Sequence, residues 1–254
     1  MYHDLMRHIS IGQGILIVVT FAGSIFAAAD ALTTVPPGVD RYARDMDAVL
    51  KGSGPISLEP VFEVGMSAAR VLTSVAEALE PNQLERFDEP TYRMVQSMMV
   101  GFMLFRGEVV GAVPRADFFL KLAREKGTSV DQAFFEAYKK TYPDGYLPAY
   151  LQQVTDYSGC IVFDGKTLTE IWGAWTAFQT SYPDRYREAT QRELAKVEEY
   201  LVGNCACGGA DGVQKELENF LKAYPNSPFA AKVASHLQAV KNGTSGIRLN
   251  CRPY

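Results

Sequence analysis

Histidine is scarce in this chain: three occur in 254 residues, and two of them, His3 and His8, lie in the first eight. The third, His236, sits within an amphipathic stretch, where a helix-face role is the ordinary expectation. No Gly-x-Ser-x-Gly, His-Glu-x-x-His or Gly-Lys-Ser/Thr signature is present, which removes the commonest nucleophile-elbow, zincin and phosphate-loop chemistries. Glu89, Glu108, Asp117 and Glu170 are available acids, but glycoside-type chemistry needs two carboxyls set across a cleft, and nothing in the spacing pairs these. Basic charge is not in excess either, with 25 Lys and Arg against 29 Asp and Glu. A nucleic-acid partner requires a dense basic face, so none is expected, and the scattered charges read as solvated helix faces. No cofactor or metal is implied.

Long apolar runs are also missing. Ile9 to Phe26 is uncharged but broken by Gly12-Gln13-Gly14, leaving a strongly apolar Ile15 to Phe26 that is short against about 30 Å of hydrocarbon. Arg7 with His3 and His8 ahead of this run, and Ala27-Ala28-Ala29 behind it, make the layout of a secretory signal. Residues 1–29 are therefore expected to be an export signal and the mature chain periplasmic or extracellular. A retained anchor or an apolar cytosolic helix are the alternatives.

Residues 30–57 hold Pro36-Pro37-Gly38 and Gly52-Ser53-Gly54-Pro55 around a short helix, Val39 to Lys51, and read as a lead-in. Residues 58–127 read as an N-terminal helical region. Leu58 to Leu79 carries apolar residues at three-and-four spacing, Pro90 opens a second helix expected to reach about Gly111, and Ala116 to Lys126 forms a third. From Val95 to Phe105 the second is nearly apolar all round, which implies burial. Met94, Met98, Met99 and Met103 fall at helical spacing there; cuprous copper is a conceivable ligand, but core filling is the stronger reading. Arg106-Gly107-Glu108 follows at once, and Arg106 and Glu108 are candidates for a buried ion pair or a pocket floor, unless both simply reach solvent.

Residues 128–254 repeat a pattern. Three apolar-periodic helices end in Tyr142-Pro143-Asp144, Tyr182-Pro183-Asp184 and Tyr224-Pro225-Asn226. The expected pairs are Ser129 to Thr141 with Tyr146 to Tyr157, Leu168 to Thr180 with Asp184 to Val202, and Gly212 to Ala223 with Pro228 to Val240. Proline cannot continue the preceding helix, and the Asp or Asn after it is expected to cap the next one. Cys160 to Phe163 and Ile247 to Cys251 are the few extended candidates. The expected fold is all-α: stacked antiparallel helical hairpins with disulfide-linked loops.

Four cysteines in an exported context can pair completely. Cys205 and Cys207 are too close to bond each other comfortably, so Cys160 with Cys205 and Cys207 with Cys251 are the expected bonds, each tying the loop ending one copy to the next. A zinc tetrathiolate or a redox-active Cys-x-Cys are weaker alternatives. Trp172, Trp175, Phe178 and Tyr182 share one side of a helix, with Tyr186 just beyond. They read as core packing or, alternatively, as an exposed groove for peptide aromatics or sugar rings. Asn242-Gly243-Thr244 is a glycosylation acceptor only in a host that glycosylates.

The segment Leu217-Glu-Asn-Phe-Leu-Lys-Ala-Tyr-Pro-Asn-Ser-Pro-Phe-Ala-Ala-Lys-Val-Ala resembles the hairpin turn of tetratricopeptide-type repeats in exported bacterial envelope proteins, those of outer-membrane assembly lipoproteins and the Tol–Pal coordinator. The likeness covers residues 213–240 and more loosely the two earlier copies. Spacing of about 40 residues exceeds the family's 34, and its Trp…Leu-Gly…Tyr series is missing. The resemblance implies a protein-interaction scaffold and transfers no binding residues. The expected function is thus an exported, monomeric or weakly associating scaffold that binds a protein or peptide without catalysis. A secreted hydrolase with a carboxylate pair and a thiol redox or metal protein are the alternatives.

Overall fold

Apolar periodicity and proline placement build the first two helices. In the computed structural model, which describes residues 35–74, 83–107, 109–155 and 158–249, α1 (Pro37–Lys51) opens on Pro37 and buries Val39, Tyr42, Met46 and Val49. The segment read as a lead-in therefore contributes to the core. Helix α2 (Glu59–Thr73) buries Val61, Phe62, Ala68 and Leu72 and packs on α1. Gly65 is required at this crossing, because a Cβ there would lie 2.7 Å from the rings of both Tyr42 and Phe102.

After the short α3 (Gln83–Arg86), the Asp88 carboxylate accepts from Thr91 N–H at 2.9 Å and caps α4 (Glu89–Met98). Here the fold departs from expectation. The helix expected to reach Gly111 stops at Met98, and the chain turns at Gly101 (φ +87°) into an antiparallel hairpin, β1 (Phe102–Phe105) with β2 (Gly111–Pro114). From Met98 to Phe105 the chain is apolar apart from Gly101, and such a stretch carries no period to separate helix from strand. A Cβ on Gly101 would lie 2.5 Å from the Phe118 ring, so this turn is set by packing from a later helix.

Helix α5 (Ala116–Lys126) leads to α6 (Ser129–Thr141), whose start is a reciprocal capping box between Thr128 and Asp131. The second helix expected in the first copy is instead the hairpin β3 (Leu151–Thr155) and β4 (Ser158–Val162). The remainder runs as α7 (Thr167–Ser181), α8 (Arg187–Leu201), β5 (Cys205–Cys207), α9 (Ala210–Ala223), α10 (Ala230–Lys241) and β6 (Arg248–Leu249). The fold is thus mainly helical, with ten helices among the described residues, and not all-α. The α7/α8 and α9/α10 hairpins stand as expected.

Strand order in the second sheet is β3-β4-β5-β6, antiparallel at β3/β4 and parallel at β4/β5 and β5/β6. Strands β4, β5 and β6 are the tails of successive copies, and each helical hairpin is the crossover that a parallel pair requires. A disulfide joins Cys160 on β4 to Cys207 on β5, with Cα atoms 5.1 Å apart. The expected bonds are corrected: Cys160 takes Cys207, not Cys205, so Cys207 is not bonded to Cys251. Residues two apart on a strand face the same way, so spacing alone could not choose between Cys205 and Cys207. Cys205 is itself disulfide-bonded, and Cys251 lies outside the described residues.

The core is continuous from Val39 to Leu237 and rich in aromatic rings. Phe62 stands edge-on to Phe119, Phe134 and Phe135, while Phe134 stacks on Tyr186 with centroids 3.8 Å apart. No described helix is long and apolar enough to cross a membrane. The expected signal, residues 1–29, lies outside the described residues.

Candidate functional site

Helical spacing puts the aromatic stripe of α7 on one face, and that face points inward. Trp175 is fully buried and donates its indole N–H to Thr141 Oγ1 at 2.9 Å. Trp172 is 6% exposed, donates to Glu198 at 3.2 Å and packs on Phe220 and Tyr224. Phe178 packs edge-on to Phe134. Tyr186 is buried at φ 48°, its hydroxyl donating to Asp131 at 2.6 Å and its N–H to Glu59. Four of the five aromatics thus hold helices together, and the open-groove reading does not describe them. Tyr182 is half-buried and borders a shallow cleft of about 390 Å³ over Ala133, Ala137 and Ala174 of α6 and α7.

Buried acids tie separate helices together. Asp131 accepts from Leu58 N–H at 3.0 Å, and Glu216 of α9 accepts from Thr169 N–H at 2.9 Å and its hydroxyl at 2.7 Å. Each satisfies a helix start from outside that helix. Burial raises the pKa of Glu216 and, with help from the Glu188 charge, that of Glu63. Neither acid lines a described cleft, and the acids named from the sequence are engaged elsewhere. Glu89 pairs with Arg93 and Arg106, Asp117 with Lys139 at 2.7 Å, and Glu170 with Lys140 at 3.1 Å. Glu108 lies outside the described residues. Burial lowers the pKa of His236, so the imidazole is neutral over more of the pH range.

Arg106 marks a better site. It donates to Phe87 O at 2.6 Å, pairs with Glu89, and lies 4.1 Å over the Tyr92 ring, while Tyr92 OH donates to Leu104 O at 3.0 Å. These contacts clamp α4 alongside β1 at one end. At the other end α4 runs out at Met98 and α5 begins, leaving a cleft of about 550 Å³. Gln96, Met99 and Val100 line it from the α4 side, Phe102 and Met103 from β1, and Arg115 and Phe118 from the start of α5. Its walls are apolar and include Met103, one of the methionines singled out in the sequence, while Met99 lies fully buried beneath them. Met94, 44% exposed, is not among its lining residues. Arg115 is exposed and has no ion-pair partner among the described residues.

Register decides where the main chain of β1 points. Arg115 N–H donates to Gly101 O at 2.8 Å, so Gly101, Met103 and Phe105 are the residues whose main chain faces β2. Phe102 and Leu104 turn theirs the other way, toward Tyr92 of α4. Phe102 N–H is taken by Met99 O at 2.9 Å and Leu104 O by Tyr92. Both residues are buried, so α4 and the turn after it cover this edge of β1. Sequence reasoning missed this cleft because it exists only once the apolar run divides into α4 and β1; Gly101 inside that run was the available signal.

No family model, curated protein or solved structure matches this chain.

Proposed function

We infer that this chain is an exported, mainly helical scaffold that binds a peptide segment of a partner protein without a covalent step. The observation that carries this reading is the cleft between α4, β1 and α5, with apolar walls and one unpaired cation. The side chains that reach its surface, Val100, Met103 and Phe118, are apolar, and a methionine among them adapts to varied apolar partners. The Cys160–Cys207 bond supports an oxidising location. Buried acids engaged in helix capping and disulfide-bonded cysteines give the hydrolase and thiol-redox alternatives less support.

The test is selection of a random peptide library, displayed both internally and with free C-terminal ends, on the folded full-length chain. Gln96→Trp, which fills the mouth of the cleft from an exposed helix position, serves as counter-selection after its thermal midpoint has been matched to the parent. Enrichment of peptides on the parent that fail on Gln96→Trp is expected. Absence of enrichment, or equal binding to the variant, overturns the reading.

A further inference from the structure

Three sulfurs gather on one face of the β4/β5 pair. Ala206 is fully buried and pairs with Ile161, so Cys205 and Cys207 on either side of it share the opposite face. The Cys160–Cys207 bond places Cys160 on that face as well, its Cα 5.1 Å from that of Cys207. Cys205 approaches from the other side, with its Sγ 3.6 Å from the carbonyl oxygen of Gly159, the neighbour of Cys160. Cys160 therefore stands between the two β5 cysteines, and either is placed to bond it.

The two β5 cysteines differ in what reaches their bonds. Cys160, the sulfur held by Cys207, is buried. Cys205 is also disulfide-bonded, but it lines an open cleft of about 280 Å³ together with Gly159, Tyr200 and Asn204. We propose that this cleft admits a low-molecular-weight thiol and that β5 is a disulfide-exchange switch, moving the bond of Cys160 from Cys207 to Cys205. The small thiol, as its thiolate, attacks the sulfur bonded to Cys205, forms a mixed disulfide with it and releases the Cys205 thiolate. That thiolate attacks Cys160 Sγ. The Cys160–Cys205 bond forms, the Cys160–Cys207 bond breaks, and the departing Cys207 thiolate takes up the proton that the small thiol gave to water. The number of disulfides is unchanged, so no further oxidant or reductant enters. The tie between the first two copies survives the exchange, while the original bond of Cys205 is cut and the thiol moves from the cleft to Cys207.

The experiment incubates the folded full-length chain with graded glutathione, quenches it in acid and alkylates it with a maleimide before exchange resumes. Fragmentation beside Ala206 then tells which β5 cysteine carries the label. In molecules that hold one glutathione, the label is expected on Cys207 in about a tenth or more, with Cys160 unlabelled. A second preparation removes the need for glutathione. The chain has four cysteines, so Cys251→Ser leaves three sulfurs for one bond, and at mildly alkaline pH, where the thiolate forms, label should appear on both Cys205 and Cys207. Label confined to Cys205 in either preparation, with Cys160 still bonded to Cys207, overturns the proposal. Failure of the folded chain to take up glutathione, or labelling of Cys160 ahead of the β5 cysteines, overturns it as well.

Discussion

The turns at Tyr142, Tyr182 and Tyr224 close their helices in the same way and then part company. Each tyrosine is the residue after the last helical one, with φ between −121° and −140° and ψ between 57° and 71°. Each N–H bonds the carbonyl four residues back, of Tyr138, Phe178 and Phe220. Beyond the proline, the first turn leads to a β-hairpin, while the second and third lead to helices α8 and α10. None uses the expected Asp or Asn cap: α8 begins after Tyr186 and α10 after Phe229, both without a side-chain cap. The stop is local chemistry, whereas the element built after it depends on the contacts made by each tyrosine and its neighbours. Tyr142 is buried and donates to Glu193 at 2.8 Å, the second turn is pinned by Tyr186 on Asp131 and Glu59, and Tyr224 lies against Trp172.

The largest effect should come from cutting the tie between the first two copies. Replacing Cys160 and Cys207 together by Ser releases a loop with sequence separation 47, and chain entropy puts the loss at about 4 kcal/mol, read as a fall in the denaturation midpoint. Next is the pin of the second turn. Asp131→Ala leaves Leu58 N–H, Thr128 N–H and the Tyr186 hydroxyl without their acceptor in the core, a loss of about 3 kcal/mol. A change under about 1 kcal/mol would mean that Glu59 and ring packing hold the turn without Asp131. The tyrosines themselves should rank by burial: Tyr142→Phe costs about 1.5 kcal/mol through Glu193, whereas Tyr224→Phe stays within about 0.5 kcal/mol. Equal effects would erase the distinction drawn between the turns.

The third copy offers a subtler probe. Glu216 is buried, and desolvation raises its pKa above the ordinary 4.5 of a glutamate, so the folded state holds its proton at higher pH than the unfolded state does. Stability then falls as pH rises through that raised value and recovers as pH drops toward 4.5. Glu216→Gln should flatten this slope, measured as the difference in thermal midpoint between wild type and variant across mildly acidic to neutral pH. An unchanged slope would show that another group carries it. Smallest of all, Asp184→Ala should change stability by less than about 0.5 kcal/mol, because no helix start uses its side chain as a cap.

Much of the helical frame is legible in the sequence. The three-and-four spacing places α1, α5, α6, α7, α8, α9 and α10 to within a few residues, and proline marks the ends of α6, α7 and α9. Two stretches mislead. Met98 to Phe105 is apolar without a period, so its division at Gly101 cannot be read. Tyr146 to Tyr157 reads as a helix by analogy with the later copies, and Leu151 and Val154, three apart, give no alternation that would mark a strand. The aromatic stripe falls correctly on one helix face, but whether that face meets solvent depends on α6 and α9.

Local periodicity, proline stops and composition are enough to establish a helical chain with three similar helix ends and cysteines at the tails of its copies. They do so because hydrogen bonding within a helix and the geometry of proline act over a few residues. The partner of Cys160, the burial of Trp175 and Tyr186, the β1–β2 hairpin and the cleft beside it all depend on surfaces brought together from far along the chain. Packing of α5 on Gly101, of α8's entry on Asp131 and of β5 on β4 settles them, since each buries groups whose partners lie well beyond the reach of local sequence.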